Sequence, residues 1–315
     1  MKLYPMVLTP FVSETVWGGR RLIDEYSVVT DKRNAAEAWV MSAHKNGSST
    51  VANGEFAGKT LREVYLEHLE LGGKNCAGFS DFPVLIKFID AAADLSVQVH
   101  PDDAYCLKKG SGAGKTESWY ILDCEPGAYL LLGFEKDITR EQFRQSITDG
   151  TLTDYVKKVP VKKGDFFFIE SGTLHAICKG ILLAEVQQNS DTTYRIYDYA
   201  RLGFDGKPRE LHVEDAVNVT HTGVYKNPCT PKKDGNVTNL VACPFFTERV
   251  LDVNGSFDGT ADEKSFVSLL ILDGAGSLEC AGETLEFSKG GSIFIPANCG
   301  DYKINGEAKI LETRV

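Results

Sequence analysis

Four residues of types that bind metal ions lie between positions 98 and 175: Gln98, His100, Glu117 and His175. The stretch 95–103 predicts a strand in which Ser96, Gln98 and His100 share one face, because strand side chains alternate with a period of two. Pro101 cannot donate a ladder hydrogen bond, so the strand should end after the histidine. Two imidazoles and a carboxylate, with Gln98 beside them, favour one site for Zn²⁺ or a similar divalent ion.

Each residue also has an ordinary interpretation when it is taken alone. A single histidine is more often structural or exposed than a metal ligand, and we assign the other four histidines to that class: His44, His68, His212 and His221. Glu117 by itself could be a solvated charge at the start of a strand. Two candidate ligands on one strand face and a third in a recognisable turn favour the metal site.

A second polar run contains Glu185, Gln187 and Arg195. Glu185 and Gln187 share one face of a predicted strand, and the turn at 189–193 could return the chain so that Arg195 lies opposite Glu185. One interpretation is a surface hairpin with an ion pair, which would contribute little stability. The other is a pocket in which a carboxylate base and a guanidinium face an anionic substrate.

Lys87 interrupts the apolar run 83–90, where it is an edge residue, a snorkelling residue, or an ammonium that points into a ligand pocket beside His100. The glycine-rich loop 110–116 suggests a nucleotide site, but position 109 is lysine where a P-loop requires glycine. The preceding segment is also helical in character, and a P-loop needs a strand there. A nucleotide site in this loop is therefore disfavoured.

The composition is that of a globular protein of one large or two smaller domains, with 315 residues, of which 43% are hydrophobic and 25% charged. A net charge of −10 argues against nucleic acid as a partner. No apolar run is long enough to cross a membrane, and the N-terminus has no signal-peptide pattern. The eight cysteines are scattered without a CxxC pair, which favours free thiols in the cytoplasm.

The periodicity predicts a mainly β protein with a few helices in its N-terminal part. Capping-box pairs begin two of the helices, Thr60 with Glu63 and Thr139 with Gln142. The predicted helices are 60–69, 102–109, 139–156 with Gly150 dividing it, and 210–219. The predicted strands are 37–42, 83–90, 117–122, 128–134, a short strand at Val161, 165–170 and 181–187, with a strand-rich segment from 239 onward. The strands 117–122 and 128–134 should pair through the turn at 125–127.

Two segments, 164–175 and 290–301, align without gaps as turn, apolar strand and turn. The first resembles the second signature of the cupin superfamily, a double-stranded β-helix of the jelly-roll type. The second copy has Asp301 in place of His175. We therefore predict this fold twice: a metal-binding catalytic domain at 1–235 and a degenerate cupin-like β domain at 236–315.

Together, these motifs make the chain similar to type I phosphomannose isomerase in its short bacterial form. They are the segments 98–102, 115–117, 172–175 and 194–199. That family interconverts mannose 6-phosphate and fructose 6-phosphate with one zinc ion. The resemblance implies that His100, Glu117 and His175 bind the metal, with Gln98 as a fourth ligand or adjacent group, although other divalent ions are also compatible with these donors.

The resemblance implies further roles near the metal. Arg195 matches the active-site arginine, Glu185 an acidic residue near the substrate, and Lys115 a lysine beside the metal that could help to open the sugar ring. Ser96 and Lys87 match residues of the phosphate pocket. Arg201 stands where longer members of the family have a lysine six residues after the arginine.

An aldose–ketose isomerase must move a proton between C1 and C2 through a cis-enediol, and Glu185 is our first candidate for the base. Two other functions fit the same fold. One is a non-catalytic sugar-phosphate sensor, and the other is a metal-dependent cupin oxygenase, which the predicted phosphate-binding residues disfavour. The expected partner is a small sugar phosphate, and no pattern predicts an oligomeric state.

Overall fold

The computed structural model describes residues 2–315, which form a mainly β protein. The strands up to residue 197 are β1 Met6–Thr9, β2 Phe11–Ser13, β3 Glu37–Met41, β4 Ala43–His44, β5 Gly47–Ser48, β6 Thr50–Val51, β7 Val84–Ala91, β8 Val97–Val99, β9 Glu117–Cys124, β10 Tyr129–Phe134, β11 Val156–Pro160, β12 Phe166–Ile169, β13 His175–Ile177, β14 Ile181–Gln188 and β15 Tyr194–Tyr197. The later strands are β16 Lys232–Asp234, β17 Val237–Ala242, β18 Thr247–Ala261, β19 Val267–Cys280, β20 Glu283–Ser288, β21 Ser292–Ile295 and β22 Gly300–Arg314.

The helices are short and precede residue 220. The α-helices are α1 Arg21–Tyr26, α2 Leu61–Glu67, α3 Asp103–Lys109, α4 Arg140–Thr148 and α5 Val213–Val219, and 3₁₀ turns cover Leu69–Gly72, Lys74–Gly78 and Leu152–Asp154. Both predicted capping boxes are confirmed, at Thr60 and at Thr139. The predicted helix 139–156 is too long, because the helix ends at Thr148 and residue Val156 already begins β11. No helix of residues 2–315 is long and apolar enough to span a membrane.

A six-stranded sheet, in the order β12-β9-β14-β7-β3-β2, lies at the centre of the molecule with both faces buried. On one face Trp119 and Leu183 pack against β10 and β13 of a second sheet. On the other face Phe88 and Val186 pack against C-terminal residues such as Phe246. Strands covered on both sides have apolar residues at nearly every position, which explains the continuous runs in β7 and β12.

The second sheet has five strands in the order β11-β10-β13-β8-β15. One of its faces contributes Leu130 and Leu132 to the core shared with the six-stranded sheet. Its other face is covered by α4 and α5, through side chains such as Phe143 and Val217. The two sheets thus form a sandwich, and the space between them at the polar end of β7, β9 and β14 forms the site described below.

Strands β16 to β22 form a second β unit with its own core. Its sheet also includes β1 and β6, because Met6 pairs with Phe294 and Leu8 with Val51. Asp301, which replaces the histidine of the first motif copy, is exposed and accepts a hydrogen bond from Thr260 Oγ1 at 2.7 Å. It therefore lies on the surface of this unit and is not part of the group formed by His100, Glu117 and His175.

Two strand pairings predicted from the sequence are wrong. Strands β9 and β10 follow each other along the chain but belong to different sheets, so the turn at 125–127 crosses the sandwich. The turn at 189–193 crosses it as well, because β14 pairs with β7 and β9 whereas β15 pairs with β8. In a sandwich, consecutive strands can bury their apolar faces against each other from opposite sheets, and a short turn does not distinguish that arrangement from a hairpin.

Candidate metal centre and adjoining pocket

The six-stranded sheet places four side chains of the site in one row. Register pairs join Trp39 to Lys87, Lys87 to Glu185, and Glu185 to Trp119. Because directly paired residues point to the same face, all four side chains face the five-stranded sheet. Lys87 is buried in a central strand, so the edge-strand interpretation is wrong. Its Nζ lies 3.2 Å from Glu185 Oε1 and 3.6 Å from Glu37 Oε2.

The facing sheet supplies the opposite wall through β8 and its two neighbours. Gln98 pairs with His175 on β13 and with Arg195 on β15, so these three side chains also form a row. Ser96 and His100 lie just outside β8, which is shorter than predicted. Ser96 Oγ donates to Gln98 Oε1 at 3.2 Å, and the Gln98 amide nitrogen lies 3.3 Å from His175 Nε2.

His100, Glu117 and His175 converge, with one potential ligand atom from each lying within 4.8 Å of the others. Each is about 1% exposed, so bulk water does not compete for these atoms. The Nδ1 atoms of His100 and His175 lie 2.9 Å from the carbonyl oxygens of Thr192 and Thr173. A carbonyl can only accept, so each Nδ1 carries the proton and each Nε2 presents a lone pair toward Glu117.

The electrostatics of this cluster suit a divalent cation. Burial, aided by the charge of Lys115, lowers the pKa of His100 to about 3, and burial also lowers the pKa of His175, so both imidazoles are neutral. Burial opposes ionisation of Glu117, but the neighbouring charge of Lys115 holds its pKa well below the ordinary value. Glu117 Oε1 receives no hydrogen bond although it is fully buried. A buried, unsatisfied carboxylate oxygen beside two imidazole lone pairs fits a metal ion.

Lys115 lies against the same donors. Its Nζ is 2.6 Å from Glu117 Oε2, 3.1 Å from His100 Nε2 and 3.9 Å from Glu185 Oε1. The Lys115 ammonium therefore forms an ion pair with the Glu117 carboxylate and lies beside the His100 lone pair. It also connects the candidate metal ligands to Glu185, so that both groups can act on one bound molecule.

Glu185 is a carboxyl group in a closed environment. It is 3% exposed, and its Oε2 accepts a hydrogen bond from Trp119 Nε1 at 2.9 Å. Burial raises the pKa of Glu185, and the nearby charge of Glu117 raises it further, while Lys115 and Lys87 act in the opposite direction. A buried carboxyl with a raised pKa beside a cationic cluster is suited to proton transfer. The surface-hairpin interpretation of Glu185 and Arg195 is therefore wrong.

Of the two arginines that the sequence indicated near the substrate, only one lies in the pocket. Arg195 and Arg209 line the pocket between the sheets, whereas Arg201 does not. The Arg201 guanidinium donates to Asp198 Oδ1 at 2.7 Å and to the carbonyl oxygen of Asp94 at 2.6 Å. Arg209 also donates to both oxygens of Asp198 at 2.7 Å. Sequence reasoning missed Arg209, which no recognised motif contains.

The pocket has a volume of about 180 Å³, below the ~300–1,000 Å³ of typical drug-binding pockets, and suits a small polar metabolite. The sequence-predicted residues in its lining are Lys87, Ser96, Gln98, Lys115, Glu185 and Arg195. Glu37 and Trp39 also line it and were missed, although their alternation in the predicted strand 37–42 was an available signal. All three tryptophans of the chain, Trp17, Trp39 and Trp119, border this pocket.

A buried His-Glu-His cluster between the sheets of a β sandwich defines a β protein with a candidate metal site, and comparisons with known proteins give the family. Residues 6–120 match the model for the phosphomannose isomerase type I catalytic domain, and residues 236–315 match that for the mannose-6-phosphate isomerase cupin domain. The mannose-6-phosphate isomerase of Streptococcus mutans is 38% identical over 310 residues, 98% of this chain and 97% of that protein. Mannose-6-phosphate isomerase ManA of Bacillus subtilis is 36% identical over 321 residues, 99% of each chain.

Solved structures agree with these matches. The crystal structure of the mannose 6-phosphate isomerase from Bacillus subtilis superimposes with a TM-score of 0.91 at 36% identity, covering 99% of each chain. A mutant phosphomannose isomerase from Salmonella typhimurium shares the fold, with a TM-score of 0.81 at 18% identity over 98% of each chain. The chain belongs to the type I phosphomannose isomerase family.

Proposed function

We propose that this chain interconverts D-mannose 6-phosphate and D-fructose 6-phosphate through a cis-enediol intermediate. The observation that carries the proposal is the position of Lys115, whose Nζ contacts Glu117 at 2.6 Å and lies 3.9 Å from Glu185. Lys115, which lines the pocket together with Glu185, therefore links the candidate base to the candidate metal ligands. A sensor would need the binding residues but would have no use for a buried carboxyl with a raised pKa beside them.

We infer that the bound metal is one zinc ion held by His100, Glu117 and His175. Neutral imidazoles with a carboxylate and an open position are typical of catalytic zinc sites. Gln98 is the candidate fourth ligand, because its side-chain amide lies next to His175 Nε2. When bound, the ion supplies positive charge that orients the substrate oxygens and stabilises the negative charge that develops on them.

Glu185 is the proposed base. It would remove the proton from C2 of the open-chain aldose and return it to C1, while the hydroxyl proton on O2 moves to O1. The raised pKa of Glu185 makes the carboxylate a stronger proton acceptor than an exposed one. Lys115 lies where it can transfer a proton during ring opening, and Trp119 holds the Glu185 carboxylate in place.

Hydrogen-bond donors in the pocket lining would bind the phosphate. Arg195, Lys87 and Ser96 line the pocket and can donate hydrogen bonds to a phosphate dianion. Burial and the charge of Arg209 lower the pKa of Arg195, because the guanidinium lacks a full complement of anionic partners. An incoming phosphate would compensate that charge. Arg201 would contribute indirectly, by holding Asp198.

Two structural proposals accompany this function. We infer that residues 1–235 and 236–315 are two domains, each built as a double-stranded β-helix, although β1 joins the sheet of the second. In both motif copies the residue eight positions after the first glycine has a positive φ, 85° at Gly172 and 63° at Asn298, which supports a shared turn.

The eight cysteines are unpaired thiols, which supports a reducing, cytoplasmic location.

The test is a coupled assay for fructose 6-phosphate formation from mannose 6-phosphate, with and without a chelator. We expect turnover that chelation abolishes and zinc restores. Tryptophan fluorescence would report substrate binding independently, since all three tryptophans border the pocket. Binding without turnover in the zinc-loaded protein would instead indicate the sensor, and oxygen consumption the oxygenase.

Glu185→Gln separates the base from the metal site. This variant keeps the shape of the side chain but cannot accept the C2 proton, so we expect kcat to fall by about 10²–10⁴-fold. Zinc content should remain at one ion per chain, and deuterium from solvent should no longer enter C1 of the product. Near-normal turnover with zinc bound would show that another group is the base.

A further inference from the structure

Glu248 on β18 is a buried carboxyl of the C-terminal unit that the proposed reaction does not use. It is 3% exposed, and within residues 2–315 no cation pairs with it. Its Oε1 is hydrogen-bonded to Ser118 Oγ of β9, across the interface between the two units. A buried carboxyl without a cation is costly unless it is protonated, and burial raises the pKa of Glu248 to about 8.

The protonated carboxyl completes a chain of hydrogen bonds. Ser118 Oγ also lies 3.3 Å from the carbonyl oxygen of Val186 on β14. A hydroxyl has one proton, so it cannot donate fully to both a carbonyl and a carboxylate. A neutral Glu248 resolves this conflict, because its O–H donates to Ser118 Oγ and Ser118 then donates to Val186.

These hydrogen bonds from Glu248 through Ser118 to Val186 lie directly behind the proposed active site. Ser118 stands between Glu117 and Trp119 along β9, and its alternate orientation points it away from the pocket toward β18. Val186 stands between Glu185 and Gln187 along β14 in the same way. The register pairs Ser118 with Val186 and Glu117 with Gln187, so Ser118 and Val186 flank the metal-binding carboxylate and the base on adjacent strands.

We propose that Glu248 is a positioning residue, through which the C-terminal domain fixes strands β9 and β14 and thereby the placement of Glu117 and Glu185. The C-terminal domain has Asp301 where the first motif copy has a histidine. Through Glu248, this domain would contribute to the reaction without binding a metal ion of its own. The inference rests on the proposed function for its effect on turnover, but its effect on metal affinity is independent of the reaction.

The test compares Glu248→Gln with Glu248→Leu in the full-length protein. The glutamine amide can still donate to Ser118, so we expect zinc affinity and kcat within about twofold of the wild type. Leucine fills a similar volume without a polar atom. Because altered support of a metal ligand typically costs 10–100-fold in affinity or activity, we expect a roughly tenfold weaker zinc affinity and a roughly tenfold lower kcat, with KM unchanged.

Two further variants separate positioning from stability. Ser118→Ala should reproduce the leucine defect, and adding it to Glu248→Leu should cost little more, because both remove the same chain of hydrogen bonds. Glu312→Gln is the matched control: Glu312 is a buried carboxyl of the same domain, and its polar partners are Arg249 at 2.8 Å, Tyr302 and Arg314, none of them on β9. It should lower the melting temperature without changing zinc affinity.

Zinc competition against a chromophoric chelator measures the affinity of each variant. The proposal would be overturned if Glu248→Leu bound zinc with wild-type affinity. It would also be overturned if Glu312→Gln lost as much zinc affinity as Glu248→Leu, because the loss would then follow from the lower stability of the domain. If the wild type proved to have no isomerase activity while the leucine variant still weakened zinc binding, the proposed function would fail and the positioning role would stand.

Discussion

The proton on Glu248 should make the stability of this protein depend on pH in a direction unusual for a carboxyl group. The folded chain has a pKa of about 8 at Glu248, because burial disfavours the charge, whereas the ordinary value is 4.5. Between these values the unfolded chain releases the proton and the folded chain retains it, so the free energy of unfolding falls as pH rises. The contribution of the Glu248 proton to the free energy of unfolding totals about 5 kcal/mol and is fully lost above pH 8.

Glu248→Gln cannot titrate, so comparing it with the wild type isolates this one group. All other titrating residues are shared and cancel in the difference between the two proteins. Between pH 5 and pH 8 the stability advantage of the glutamine variant should grow by about 3.5 kcal/mol. Urea unfolding followed by far-ultraviolet circular dichroism, at matched zinc concentrations, measures it. A difference that stays constant over this range would refute the assignment of a raised pKa to Glu248.

Three further predictions concern the pocket. Lys87→Met leaves Glu37 and Glu185 without the buried ammonium between them. We therefore expect the free energy of unfolding, measured by urea titration, to fall by about 3 kcal/mol. An unchanged urea midpoint would contradict the ion-pair geometry. Ser96→Ala removes one proposed donor to the phosphate, so KM should rise about tenfold while zinc content, measured by atomic absorption, stays at one per chain. His100→Ala removes a proposed ligand and should abolish zinc retention on gel filtration, whereas replacing the exposed Asp301 by Ala should leave it intact.

The local features of the fold were predictable because their causes are local. Capping residues at Thr60 and Thr139 compete with solvent for backbone groups within the same turn, so the sequence alone locates those helix starts. The apolar runs in β7 and β12 are a direct consequence of burial on both faces. The candidate metal ligands were recognisable because side-chain chemistry and strand alternation are properties of short segments.

Strand pairing was not predictable in the same way. The sequence indicated hairpins at 125–127 and 189–193, but both turns connect opposite sheets. Whether consecutive strands pair or face each other across a core depends on which distant strands cover them. For β14 those strands are β7 and β9, and β7 lies about a hundred residues away in the chain.

The chemistry available to this protein was readable from the sequence: two imidazoles, a carboxylate and a lysine in a recognisable order. Which of the charged groups meet depends on the tertiary structure. It placed Lys115 between Glu117 and Glu185, brought Arg209 to the pocket in place of Arg201, and set Glu248 behind β9. These contacts join residues far apart in sequence, and the packing of whole sheets against each other fixes them, which no single segment of the sequence encodes.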